Sequence, residues 1–117
     1  EYMKANLEWE SLRIDVADYF TRYDIFLCPT VFAPPFPHDE SQFRVNGQVL
    51  PSRHALRATL PWDLTGSPAL SVPFGWSTDG LPIGVQIVGR HFGEDAVLAA
   101  AKVLDDRRDI RRPQIAQ

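Results

Sequence analysis

Cysteine is nearly absent from this sequence, lysine is scarce and no apolar run is long. The single Cys28 excludes an internal disulfide and makes a reducing compartment, the cytoplasm, the default expectation. Lys4 and Lys102 are the only lysines, and both fall among polar residues of predicted helices. A solvated ammonium is the simpler reading of each than a buried, deprotonated base. No stretch approaches the roughly 20 apolar residues of a membrane span or has the build of a signal peptide. Charge of one sign is not in excess either: 12 basic and 15 acidic side chains give a net charge of −3. The dense run Asp105–Arg112 mixes both signs, so nucleic-acid binding has no electrostatic support.

What is present suits a soluble globular chain. Apolar residues make up 44% and charged residues 23% of 117 positions, enough to bury a core and too apolar for disorder. The length allows a single domain at most. Residue 1 is Glu within a helical pattern, which raises the expectation that the natural polypeptide begins further upstream.

Hydrophobic periodicity divides the chain into five segments. Trp9, Leu12, Val16, Tyr19, Phe20 and Tyr23 recur at steps of three and four, predicting an amphipathic helix over 1–23. Ile25-Phe26-Leu27-Cys28 is an unbroken apolar run stopped by Pro29, the pattern of a strand covered on both faces, within 24–30. Segment 31–60 is a long proline-rich loop, with Asn46-Gly47 centring a small hairpin and a short helix over 53–60, after which Pro61 punctuates the chain.

Segment 64–90 is a strand hairpin turning at Asp79-Gly80. In its first strand Leu70, Val72, Phe74 and Trp76 share one face. Ala69, Ser71, Pro73 and Gly75 leave the other small, as if something packs closely there. Pro73 makes that strand irregular or an edge. A helix over 94–108 opens on Glu94-Asp95 and ends on Arg107-Arg108, the charge order that suits its dipole. A frayed tail is expected after Pro113. The order of helices and strands predicts an α/β fold.

The residues form no complete catalytic constellation. Gly-x-Ser-x-Gly is missing; Ser67 sits in a Gly-Ser-Pro turn and Ser71 alternates inside a strand, so neither has the exposed elbow of a nucleophile. His38, His54 and His91 share no metal-ligand spacing with Cys28 or a carboxylate pair, so neither a metal nor a cofactor is expected. Cys28, in an apolar strand, reads as core and not as a nucleophile. Trp62 and Asp63 stand where a ligand would meet them, although a tryptophan so near two prolines more often packs internally.

Three segments together carry a resemblance: Tyr23-Asp24-Ile25-Phe26-Leu27-Cys28-Pro29-Thr30, Asp63-Leu64-Thr65-Gly66-Ser67-Pro68-Ala69-Leu70-Ser71-Val72-Pro73, and Asp79-Gly80-Leu81-Pro82-Ile83-Gly84-Val85-Gln86-Ile87-Val88-Gly89-Arg90. They resemble the C-terminal part of amidase signature enzymes, from about Leu12 to Leu104. The departures are Asp63, where the family often has Asn, and Ser67, where it often has Leu.

The resemblance implies a mixed sheet flanked by helices and hydrolysis of a carboxamide to a carboxylate and ammonia or an amine. It implies a serine nucleophile, a second serine and a lysine, all upstream of this chain. None of these 117 residues is then catalytic, and the chain is a single partial domain, inactive without the missing N-terminal part. Thr30 and Trp62 would face the acyl side of the pocket of a small amide substrate. A homo-oligomer is left open, and neither nucleic acid nor membrane is a partner.

Two rival readings remain at this point. One is a free-standing, non-catalytic module that binds a ligand or builds an oligomer. The other is a small independent hydrolase using Ser67 or Ser71.

Overall fold

The computed structural model describes residues 1–39 and 41–108. Helix α1, Tyr2–Arg22, contains neither Gly nor Pro. It stops where Tyr23 turns extended, and Arg22 bonds Asp18 at 2.9 Å in the last turn, a cation placed well for the helix dipole. Strand β1, Ile25–Pro29, follows at once.

Across 31–60 the chain is more ordered than its prolines suggest. Strands β2 (Gln42–Val45) and β3 (Gln48–Pro51) pair as a hairpin. Its turn has Asn46 at φ 49° and Gly47 at φ 80°, the type I′ geometry that an Asn-Gly pair favours. A 3₁₀ helix, Ser52–Ala58, leads into α2, Leu60–Thr65.

Helix α2 corrects the reading of Pro61 as punctuation. Pro61 lies in the first turn, where a missing N–H leaves no hydrogen bond unmade and the fixed φ suits the helix. Gly66 closes it in the left-handed conformation, φ 69°, and the N–H groups of Gly66 and Ser67 both donate to the Trp62 carbonyl. Leu64 and Thr65 therefore end a helix and do not begin a strand.

Strands β4 (Ala69–Trp76) and β5 (Pro82–Gly89) form the larger hairpin around Gly80, φ 76°. The sheet order is β1-β5-β4, and its pairings are antiparallel. The register slips between Pro73 and Gly75, leaving Phe74 as a bulge. Thr30 N–H donates to Gly84 O, and Gly89 N–H donates to Pro68 O. Alternation from these bonds turns Ile25, Leu27 and Pro29 of β1, and Ala69, Ser71 and Pro73 of β4, away from β5 along the outer edges.

Helix α3, Glu94–Asp105, ends sooner than 108 and lies across one sheet face. Val97 and Ala101 meet Val72 and Ile87 there, with Ile25, Leu70, Ala100 and Leu104 around them. Each of the fully buried Ile87 and Val88 side chains contributes about 1.5–3 kcal/mol of apolar burial. Contact is closest at Gly89, where a Cβ would fall 2.6 Å from Val97 Cγ2.

Two expectations about coverage are overturned. Leu27 is 55% exposed, because β1 is an outer strand here and lacks a neighbour on its far side. The small face of β4 is open: Ala69, Ser71 and Pro73 are exposed and nothing packs closely over them among the described residues. Among those residues no helix is long and apolar enough to cross a membrane. The tail expected after Pro113 lies outside the described residues.

Candidate functional site

The sheet face away from α3 carries Phe26, Cys28 and Thr30 from β1, Gly84 and Gln86 from β5, and Ser71 from β4. Its N-terminal side is roofed by aromatic rings. Tyr19 of α1 meets Phe26 edge-on at 5.6 Å, and Trp62 of α2 tilts over the same ring at 5.0 Å. Trp9 fastens the two helices by donating from Nε1 to Leu64 O at 2.6 Å.

Thr30 Oγ1 and Ser71 Oγ lie 2.7 Å apart. Gly84 makes this possible: a Cβ there would sit 2.8 Å from the threonine oxygen and 2.9 Å from the serine oxygen. The glycine is thus the floor beneath a hydroxyl pair. In such a pair one O–H is spent on the partner oxygen, and the other remains free to donate. Around it Val31, Ala33, Pro34, Phe36 and Ile83 wall a hollow of about 270 Å³.

Trp62 does not line that hollow. It borders a separate one of about 220 Å³ with Asp15, Val16, Tyr19, Phe20 and Phe26. The two wall residues therefore share a sheet face but stand in different depressions of it. The Trp62 Nε1 proton is buried without meeting hydrogen-bond geometry to any acceptor. It faces Cys28, whose thiol burial pushes up from the usual cysteine range while the nearby indole N–H pulls it the other way. Cys28 Sγ also contacts Gln86 Oε1 at 3.7 Å. A thiol held protonated in this way is a poor nucleophile.

Neither serine is activated within the described residues. Ser71 bonds to Thr30, and Ser67 Oγ lies 2.9 Å from Thr65 Oγ1; no base touches either. Lys4 pairs with Glu8 and Lys102 with Asp106, all four side chains well exposed. Nor do three His, Cys, Asp or Glu side chains group to hold a metal among the described residues. His54 is pushed down from its ordinary value by loss of solvent, then by Arg57 and Arg53, and stands apart from this face.

Sequence reading passed over a cleft of about 490 Å³ between the flank of α1 and the turn after β5, where Arg90 and His91 project. Gly93 N–H donates to Arg90 O at 2.9 Å, and Phe92 adopts φ 57° at the third position of the turn. That position ordinarily takes glycine, and phenylalanine there costs about 1–2 kcal/mol. A four-residue link between the end of β5 and Glu94 was the available signal.

The family model described as Amidase matches residues 1–98. The chain belongs to the amidase family. Among relatives of the amidase chain, a glutamyl-tRNA(Gln) amidotransferase subunit of Geobacillus kaustophilus (strain HTA426) is 34% identical over 111 residues, 95% of this chain and 22% of the relative. A crystal structure of an amidase superposes with a TM-score of 0.85 at 29% identity, covering 92% of this chain and 25% of that one. A 6-aminohexanoate cyclic dimer hydrolase superposes at 0.78 with 31% identity, covering 92% and 24%. The amidase chain thus spans about a fifth to a quarter of the length of these relatives.

Proposed function

We propose that these residues form one part of an amide hydrolase that converts a small carboxamide to a carboxylate and ammonia or an amine. The observation that carries this reading is the amidase family match over residues 1–98. Solved relatives are named for such chemistry, among them an amidase, a 6-aminohexanoate cyclic dimer hydrolase and an aryl acylamidase. In this reading the nucleophilic serine, its partner serine and the lysine come from polypeptide outside these 117 residues. The lack of any base at Ser67 or Ser71 among the described residues supports that division of labour.

The chain itself contributes scaffold and wall. Its open sheet face, with Thr30 beside one hollow and Trp62 beside another, is turned toward the acyl side of the substrate. A nucleophile, a base and oxyanion donors act as a unit, so the chain alone has no turnover. A cytoplasmic home is proposed on the single cysteine.

The test joins this chain to the upstream portion of an amidase-family polypeptide and measures ammonia released from simple carboxamides. The joined protein is expected to turn over, and Thr30→Trp to raise KM by crowding the hollow while the fold persists. A folded joined protein that releases no ammonia from any simple amide sinks the reading. Cooperative unfolding and a defined oligomer of the inactive chain by itself would favour a non-catalytic module instead.

A further inference from the structure

The cleft beside Arg90 has two unlike halves. Its floor is apolar, built by Ile14, Val16, Ala17 and Phe20 on one flank of α1. Its far rim is polar, built by Thr65 and Ser67 at the end of α2 and by Arg90 and His91. The mouth also carries Glu10 and Arg13, but these lie 3.4 Å from each other, and the Arg13 guanidinium rests 5.2 Å from the Trp9 ring centre. Their charges offset one another.

Arg90 differs. No carboxylate lies within ion-pair distance of it among the described residues. Its stem is held by the turn, since a Cβ on Gly93 would fall 2.6 Å from Arg90 Cγ. The His91 ring is set closely over Gly66, 3.3 Å from where a Cβ would stand. The left-handed Phe92 between them and Gly93 is the conformation that bends Arg90 and His91 toward the cleft. Strain of this sort persists where the surroundings over-determine it, often at ligand sites.

One uncompensated cation beside an apolar floor selects a ligand with one negative charge and an apolar tail. A dianion would meet Glu10 with a single cation to balance it, and a neutral ligand would leave the guanidinium unused. We infer that this cleft binds a monocarboxylate with an aliphatic chain, its carboxylate on Arg90 and the Ser67 hydroxyl, its chain along Ile14, Ala17 and Phe20. The site shares no residue with the Thr30–Ser71 hollow and does not depend on the proposed hydrolysis. Carboxylates are nonetheless what amide hydrolysis releases, so the ligand class is one such an enzyme would encounter.

The test is a heteronuclear NMR titration of the 117-residue chain with octanoate and, separately, octanamide. Octanoate should shift the Thr65, Ser67, Arg90 and His91 amides saturably, and octanamide should bind about tenfold more weakly, the loss of one charge-assisted contact. Arg90→Gln, at an exposed position, should erase the difference between the two ligands. Ile14→Asp, also exposed, should weaken octanoate through the floor.

Equal affinity for the two ligands, or a preference that survives Arg90→Gln, overturns the inference. So does the absence of saturable shifts at millimolar octanoate, which would leave the cleft as a seat for another polypeptide segment. None of these outcomes bears on the ammonia-release assay, so the two readings fail separately.

Discussion

On the α3 side of the sheet, Val72, Ile87, Val97 and Ala101 lose nearly all contact with solvent, and Gly89 admits the helix to within a methyl group of the strand. On the opposite side Ala69, Ser71 and Pro73 stand in the open, and only Phe26 at one end is roofed, by Tyr19 and Trp62. The same three strands supply both surfaces. The closed face owes its partner to a helix 12 residues long that follows β5 directly in the chain. The open face has the composition of a surface meant for close contact, small residues over a glycine floor, and no such partner within these residues. Completeness of a face thus depends on which polypeptide is at hand, not on the character of the strands.

Strand β5 carries isoleucines in both settings, which gives the sharpest way to break this contrast. Ile87 is fully buried and Ile83 is 36% exposed. Ile87→Ala should lower stability by about 3 kcal/mol and Ile83→Ala by less than about 1 kcal/mol, read from urea midpoints at unchanged slope. Equal losses would mean that the open face is covered in solution.

The glycines give the next largest effect. Gly89→Ala drives a methyl into Val97 and should cost about 2 kcal/mol, most of it recovered in the Gly89→Ala/Val97→Ala pair. Gly84→Ala instead meets two hydroxyls and should cost about 1 kcal/mol. A double-mutant cycle with Ser71→Ala would show whether those hydroxyls are the obstacle, and an additive cycle would say they are not.

The smallest effect is a titration at Cys28. Because burial raises its folded-state value, the thiol stays protonated at neutral pH and iodoacetamide should react with it more slowly than with a free cysteine. The unfolded chain ionises first as pH rises, so any stability tied to the neutral thiol is intact below the ordinary cysteine range and lost above it. Trp62→Phe removes the indole N–H that opposes the shift and should move the reactivity profile to still higher pH. A profile that moves down would show that the indole does not act on the sulfur.

Much of the framework was legible because it is local. The spacing of Trp9, Leu12, Val16 and Tyr19 specifies a helix without outside help, and Asn46-Gly47 specifies its turn through backbone torsions alone. Pro61 misled because the same residue breaks a helix interior and begins a first turn; only the Gly66 cap five residues later distinguishes the two. Leu27 and the small face of β4 misled for another reason. Their composition records a neighbour, and periodicity cannot say whether that neighbour lies within the chain. Of the site, Thr30 and Trp62 came by resemblance, and nothing in their sequence separation says that they would border different hollows. Arg90 was passed over because an arginine after a strand looks like any solvated end, until the backbone of Phe92 is seen.

Prolines Pro29 and Pro73 occupy corresponding places on the two outer edges of the sheet, each turned away from β5 and each without a proton to offer. A strand arriving from elsewhere finds two backbone donors on the β1 side, at Ile25 and Leu27, and two on the β4 side before the bulge, at Ala69 and Ser71. Growth of the sheet is therefore short-stepped in both directions: the correct neighbour can be zippered on over about four residues, while long fibrillar stacking is cut off at the proline.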